Sequence, residues 1–273
     1  MSLSKQDFDF ISALVEERSA IQLPQGKEYL VEARLDALRR TMSISSLAEL
    51  IETVRKSSRS QLAEEVVDAL TTNETSFFRD IRPFDGLKQV IIPTLMENRK
   101  SSRRLNIWCG ACSSGQEPYS VLILLRENFP ELQHWNIQYW ATDFSPQMVQ
   151  RCTDGRYADL EVKRGLSPEL RGKYFDKVKD GWQIKSSFRS MLTVRRLNLM
   201  ESWKLPQMDL IMMRNVLIYF SMDTKKDIFR RIRDTLAPDG YLLLGAAETT
   251  INIDNSYEVE DAGPTRCYRP LAV

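Results

Sequence analysis

The sequence contains a single histidine, His134, and four cysteines in 273 residues. That scarcity excludes several chemistries. A tetrahedral zinc centre draws on cysteine and histidine, and one histidine without a second C-x-x-C pair does not complete one. No metal site is expected. Four cysteines in a chain of this length make no disulfide framework, and Cys152 and Cys267 read as isolated, reduced, partly buried thiols. Charge of one sign is also missing: 38 Lys and Arg stand against 37 Asp and Glu, for a net charge of +1. No global field then points at nucleic acid or at an anionic membrane. No apolar run is long enough to span a bilayer. The first residues, MSLSKQDFDF, lack the apolar core of a signal peptide. The expectation is a cytoplasmic protein, monomeric by default, with no nucleic acid partner and no direct membrane insertion.

What is present is ordinary globular composition, 42% hydrophobic and 27% charged. The first hundred residues read as helices. Ser4 with Asp7 three residues on resembles a capping box, and Phe8, Ile11, Leu14 and Val15 follow at helical spacing. Pro24 and Gly26 break the pattern. A second helix is predicted over 28–40, with Leu30, Val31, Leu35 and Leu38 on one face. Ser46 caps a third, carrying Leu47, Leu50, Ile51 and Val54, and a fourth carries Leu62, Val66, Val67 and Leu70.

From Arg103 the character changes. RRLNIWCG, WNIQYWATD, MDLIMMRN and YLLLGAAE read as strands, and QEPYSVLILLREN, SPQMVQRC and DTKKDIFRRIRDTLAP as helices between them. This alternation predicts a doubly wound, mainly parallel α/β sheet. Boundaries follow: a helical domain over 1–75, an α/β domain over 76–273, and a small antiparallel insertion over 157–196, where the alternation lapses. Residues 151–204 hold thirteen Lys and Arg against seven Asp and Glu, a solvated surface or a docking face for an acidic partner.

The stretch NIWCGACSSGQEPYS (106–120) carries the first site signal. A strand, a small-residue loop and a helix form an adenosine-cofactor pattern, in which Gly115 lets the backbone approach the ligand. Asp143, ending QYWATD, supplies a carboxylate for ribose hydroxyls. The loop is not G-x-G-x-x-G, which disfavours a nicotinamide cofactor. A dithiol at Cys109 and Cys112 is disfavoured too, because Ser113, Ser114 and Gly115 separate it from the helix N-terminus that would stabilise a thiolate.

Two more polar stretches complete the pattern. TTNETSFFRD sets Asn73, Thr75 and Arg79 around the Phe77–Phe78 pair, a polar site resting on an apolar anchor. MMRNVLIYF puts Arg214 and Asn215 after a strand, on the carboxyl edge where open α/β sheets bind ligands. Asn198, in RRLNL, ends another strand at that edge.

In order, TTNETSFFR, ACSSGQEPYS, ATDFS, LNL, RNVLIYF and LAPDGYLLLG resemble the motifs of the chemotaxis receptor glutamate methyltransferases, the CheR family. The resemblance covers nearly the whole chain. It implies a class I S-adenosylmethionine-dependent methyltransferase fold with an N-terminal helical domain and a small inserted β-subdomain. It implies S-adenosyl-L-methionine as cofactor, leaving as S-adenosyl-L-homocysteine. Cofactor contacts would come from Asn73, Thr75, Arg79, Glu117, Asp143, Asn198, Leu199, Asn215 and Val216, with Gly115 in the loop, and Arg79 and Tyr219 would stand at the methyl-transfer locus. The partner would be the cytoplasmic coiled-coil domain of a chemoreceptor, and the product a γ-glutamyl methyl ester. Arg34, Arg39 and Arg40 are candidates for receptor binding, although residues 1–75 hold nine basic against thirteen acidic side chains, so recognition would be local. Two features depart from the family: Ala246 and Ala247 replace the polar members of a Gly-His-Ser-Glu-like run, and the turn in KVKDGWQIK is short for a subdomain that grips a receptor pentapeptide tether. A methyltransferase for another substrate and a non-catalytic S-adenosylmethionine-sensing scaffold remain alternatives.

Overall fold

A computed structural model describes residues 3–271 and divides them into two compact units. One is the chain up to Thr72 together with Tyr219–Thr224. The other is Asn73–Ile218 together with the chain from Lys225 onward.

The first unit holds α1 (Lys5–Ser19), α2 (Glu28–Thr41), α3 (Leu47–Lys56) and α4 (Gln61–Leu70). Serine hydroxyls start three of them: Ser4, Ser46 and Ser60 accept from the backbone N–H of Asp7, Glu49 and Ala63. Phe8, Ile11, Leu14 and Val15 of α1 are buried, as are Leu50, Ile51 and Val54 of α3 and Val66, Val67 and Leu70 of α4. The apolar face of α2 is narrower than its spacing predicts. Val31 and Leu35 are buried, but Leu30 is 43% exposed beside Tyr29 at 65%. The α2 residue Arg34 is turned to a structural task, its guanidinium donating to the Leu70 and Thr71 carbonyls at 2.9 Å each. That satisfies carbonyls left open at the α4 C-terminus. Residues 219–224 join this unit through a bridge between Ile21 and Phe220 and a 2.9 Å bond from the Gln22 N–H to the Tyr219 carbonyl.

In the second unit, α5 (Arg82–Gly86), a π-helical turn (Leu87–Ile91) and α6 (Ile92–Asn98) precede β1 (Arg104–Gly110). There follow α7 (Gln116–Asn128), β2 (Asn136–Asp143), α8 (Pro146–Asp154), β3 (Arg156–Tyr157), α9 (Asp159–Lys163), α10 (Pro168–Tyr174), β4 (Phe175–Val178), β5 (Gly181–Ile184), α11 (Ser186–Arg189) and β6 (Leu192–Arg196). The unit is completed by β7 (Met208–Met213), α12 (Met222–Thr235) from Lys225 onward, β8 (Leu236–Leu244), β9 (Tyr257–Ala262) and β10 (Thr265–Pro270). Seven strands form one sheet in the order β6-β2-β1-β7-β8-β10-β9, and β3-β5-β4 form a small antiparallel sheet. Strands β6, β2, β1, β7 and β8 are parallel neighbours, and β10 and β9 close the edge antiparallel. The predicted insertion is therefore shorter than 157–196, because its last segment, Leu192–Arg196, pairs with β2 in the main sheet.

Every residue of β7 is buried, as expected for a central parallel strand covered on both faces. The chain winds outward from β1 to β2 and β6, then returns to lay β7 on the other side of β1. The switch point therefore lies between β1 and β7, and open α/β sheets bind ligands outside the carboxyl ends of the strands at such a point.

An ion-pair clamp holds the opposite edge. Arg99, after α6, donates to Asp209 of β7 at 2.8 Å and to both carboxylate oxygens of Asp239 in β8, at 2.8 and 2.6 Å. Asp209 also accepts from the Asn106 N–H of β1 at 2.7 Å. The Arg99 hydrogen bond holds the Asp239 carboxyl below its ordinary value of 3.8. A carboxyl depressed in the folded state stabilises fully above its unfolded pKa, and the contribution fades as pH falls through the folded value. Arg99→Met is expected to lower the unfolding free energy by about 2 kcal/mol at pH 7. The difference from wild type should shrink below about pH 4, as the Asp239 carboxyl protonates in both proteins. Urea melts across that range check it, and a pH-independent difference would refute the clamp's ionic part.

Candidate active site

The carboxyl end of β1 turns into α7 through a loop with alternating left-handed residues: Ala111 (φ 52°), Ser113 (φ 50°) and Gly115 (φ 94°). Glycine is required at 115 twice over, by its φ and because an added Cβ would lie 2.7 Å from the Cys152 Sγ. The helix begins at Gln116, so the cysteines precede it. All four cysteines are buried and free. Burial raises the Cys109 thiol well above its ordinary value, and a hydrogen bond with Cys152, followed by burial, raises Cys112. Neither is a thiolate nucleophile.

Asp143, at the end of β2 and 7% exposed, organises this loop. One carboxylate oxygen accepts from the Ser113 N–H at 2.7 Å, the other from the Ser145 N–H at 2.9 Å. The Asp143 carbonyl takes the Leu197 N–H at 2.9 Å, which ties in the segment after β6. There Asn198 accepts from the Met200 N–H at 3.0 Å, and Leu199 is buried. The Ser113 hydroxyl donates to the Asn73 carbonyl at 2.7 Å. Asn73, the glycine loop, Asp143 and the 197–199 turn are thus joined directly.

The segment from Asn73 to Ile81 rests on an aromatic anchor. Phe77 is 1% exposed and packs edge-on against Tyr157 and Phe175, with centroids 5.0 and 5.5 Å away. Phe78 packs on Phe84 at 5.1 Å, and its N–H donates to the Ser120 hydroxyl at 2.9 Å. The chain then runs through left-handed Phe78 (φ 48°), Asp80 (φ 69°) and Ile81 (φ 46°). Such conformations cost roughly 1–3 kcal/mol each in non-glycine residues and persist where the surroundings over-determine them. Thr75 is half-buried in this segment, and Arg79 donates to the Glu74 carbonyl at 3.0 Å.

Arg214, directly after β7, ties this segment to α7. Its guanidinium is 1% exposed; it pairs with Glu117 of α7 and with Asp80 at 2.9 Å, and donates to the Arg79 carbonyl at 3.1 Å. The Cys109 thiol also donates to Glu117, at 3.2 Å. Glu117, expected as a cofactor contact, thus has protein partners on both oxygens. The turn that follows is shaped by Glu248. Its carboxylate accepts from five backbone N–H groups: Asn215 and Gly245 at 2.7 Å each on one oxygen, and Val216, Leu217 and Ile218 at 2.9, 2.7 and 3.3 Å on the other. The amides of Asn215 and Val216 are therefore engaged, which leaves their carbonyls and side chains for a ligand.

Sequence reading missed Arg214's partners and Glu248. In GAAETT the two alanines drew attention and the glutamate after them did not, although a carboxylate behind a glycine-ended strand was the available signal. Tyr219 belongs to the first unit, at the end of a 3-10 turn (Leu217–Tyr219), and its role rests on the resemblance. Arg39 and Arg40 both pair with Asp36 on their own helix, and Arg34 is held at α4. His134 is exposed at the end of a 3-10 turn, and no cluster among the described residues could hold a metal ion. The site is a binding and orienting arrangement without a thiolate or an imidazole.

Family models match both parts of the chain: CheR methyltransferase, SAM binding domain, over residues 73–264, and CheR methyltransferase, all-alpha domain, over residues 6–71. Chemotaxis protein methyltransferase Cher2 of Pseudomonas putida is 41% identical, with 98% of this chain and 99% of that protein covered. Chemotaxis protein methyltransferase 1 of Pseudomonas aeruginosa is 42% identical over the same shares. The Vibrio anguillarum chemotaxis protein methyltransferase is 37% identical over 98% of each chain.

Replacing Glu248 with glutamine exchanges one acceptor oxygen for an amide that cannot accept. Glu248→Gln is expected to lower the unfolding free energy by about 2–4 kcal/mol, since it strands buried N–H groups. An unchanged denaturation midpoint would show that the carboxylate does not hold the turn.

Proposed function

We infer that this chain, which belongs to the CheR family of chemotaxis protein methyltransferases, methylates the side-chain carboxylate of specific glutamates in chemoreceptor cytoplasmic coiled-coil domains, leaving γ-glutamyl methyl esters. The observation that carries the reading is the joined carboxyl edge. Asn73, the Gly115 loop and Asp143 form one hydrogen-bonded group, and Arg79 continues the Asn73 segment.

The cofactor is S-adenosyl-L-methionine, which when bound supplies an electrophilic methyl group on a sulfonium sulfur. The residues fit it. Asp143 stands at the carboxyl end of β2, hydrogen-bonded to the glycine loop, where a carboxylate would face the ribose hydroxyls. Glu117, the Asn73–Thr75 segment, Asn198, Leu199, Asn215 and Val216 flank the loop along the same carboxyl edge, as the resemblance requires of cofactor contacts. A glutamate carboxylate is already ionised at neutral pH, so the reaction needs no strong general base. An exposed His134 and protonated, buried thiols are compatible with that. The protein's work is alignment and exclusion of water, which can supply up to about 7–11 kcal/mol of barrier reduction. Arg79 orients the incoming carboxylate. Because it also donates to the Glu74 carbonyl and stays partly solvated, it can do so without clamping the nucleophile.

The hairpin between β4 and β5 turns at Lys179 and Asp180 alone, which supports a member that works without a pentapeptide tether. In the first unit the proposed receptor contacts are Arg39 and Arg40, aided by their position in the last turn of α2.

Two measurements test this. With methyl-labelled cofactor and receptor cytoplasmic fragments, base-labile label on glutamate is expected, at equal rates with and without the receptor's last five residues. Arg79→Ala should lower kcat by roughly 100-fold at saturating receptor. Cofactor binding without any transfer would instead indicate a sensing scaffold. Separately, reversing Arg39 and Arg40 to glutamate should raise KM for the receptor about threefold to tenfold and weaken its salt dependence. An unchanged KM would remove α2 from the docking surface.

A further inference from the structure

A cavity of about 520 Å³ opens at the carboxyl end of β8. Its lining includes Asp80, Arg82, Ala246, Ala247, Thr249 and Arg266. Both carboxylates near it are engaged within the protein. Asp80 pairs with Arg214 at 2.9 Å, and Glu248 is surrounded by backbone N–H groups. The two arginines are not engaged. Arg82 and Arg266 are exposed, and among the described residues neither guanidinium has an ion-pair or hydrogen-bond partner. Asp261 stands opposite Arg266 across the β9–β10 hairpin without closing a pair. The cavity therefore presents two free guanidinium groups and the Thr249 hydroxyl, while Ala246 and Ala247 leave it open. A guanidinium fork of this kind suits a carboxylate.

Its position gives the carboxylate a source. The adenosine-type elements, the glycine loop and Asp143, take the β1–β2 half of the sheet edge. The cavity lies on the other half, past β7, at the carboxyl end of β8. Asp80 belongs both to its lining and to the Arg214 network, one residue from Arg79.

We propose that this cavity is a second acceptor subsite, in which Arg82 and Arg266 hold an acidic side chain of the receptor helix flanking the glutamate that is methylated. The proposal rests on the glutamate methyltransferase reading above. It makes Arg82 and Arg266 specificity-determining residues, since they favour methylation segments whose neighbouring positions are acidic.

The test is steady-state methylation of a chemoreceptor cytoplasmic fragment by wild type, R82Q/R266Q and R82E/R266E, with S-adenosyl-L-homocysteine affinity measured for each by calorimetry. KM for the fragment should rise about tenfold in R82Q/R266Q and further in R82E/R266E, while kcat stays within about twofold and the product affinity is unchanged. A fragment with its flanking acidic residues changed to glutamine should lose the same factor with wild type and nothing more with R82Q/R266Q, the signature of a direct pair. A247F, which fills the cavity without altering charge, should raise KM in the same way. Unchanged KM in all three variants, or fully additive effects of the two sets of changes, overturns the subsite. If wild type itself places no base-labile label on glutamate, the methyltransferase reading fails first and takes the subsite with it.

Discussion

The Arg214 guanidinium is a full positive charge with 1% of its side chain exposed, and the architecture of the site follows from what is needed to keep it there. Removing such a charge from water costs several kcal/mol, and only well-placed opposite charges and acceptors offset that. They arrive from two distant parts of the chain: Glu117 from the first turn of α7, and the Asp80 carboxylate and Arg79 carbonyl from the segment before α5. The pairing therefore fixes the positions of three segments at once. It also explains how Phe78, Asp80 and Ile81 can all be left-handed. The ion pair holds one end of that segment, and the buried Phe77 ring among Tyr157 and Phe175 holds the other. Between two such anchors the strained turn has no cheaper alternative.

Glu248 solves the converse problem on the next few residues. Here a buried negative charge is matched by backbone N–H groups instead of a cation. The amides converge because Asn215 is left-handed (φ 59°) and because residue 245 is glycine, where a Cβ would come within 2.7 Å of the carboxylate. The Arg214 side chain and the amides that follow it are thus held by two independent devices, one at each side of the same turn.

Local features were legible in the sequence and long-range ones were not. Ser4 and Ser46 cap helices because a hydroxyl bonds an N–H a few residues away, which spacing reveals. The strand, small-residue loop and acid-ended strand around Gly115 and Asp143 could be read for the same reason. The Glu117–Arg214 pair spans 97 residues and the Glu248 bonds about thirty, and neither follows from any periodicity. Strand β6 was assigned to the insertion because Leu192–Arg196 is short and buries only Leu192, so nothing local distinguishes a strand on β2 from one on β5. Leu30 was read into the core because spacing gives the phase of a helix but not the width of its buried stripe.

The same charge bookkeeping bears on reactivity. In the proposed reaction a carboxylate nucleophile arrives ionised, and its lone pair must remain available. A fully buried, unpaired arginine at the acceptor would bind it strongly in the ground state and slow transfer, because binding ground and transition states alike does not raise kcat. Arg214 has the burial that would do this, but Glu117 and Asp80 already neutralise it. The cations of the proposed acceptor side, Arg79, Arg82 and Arg266, are half-buried or exposed. Their fields are screened by water, so in the proposed reaction they would aim an anion while holding it weakly.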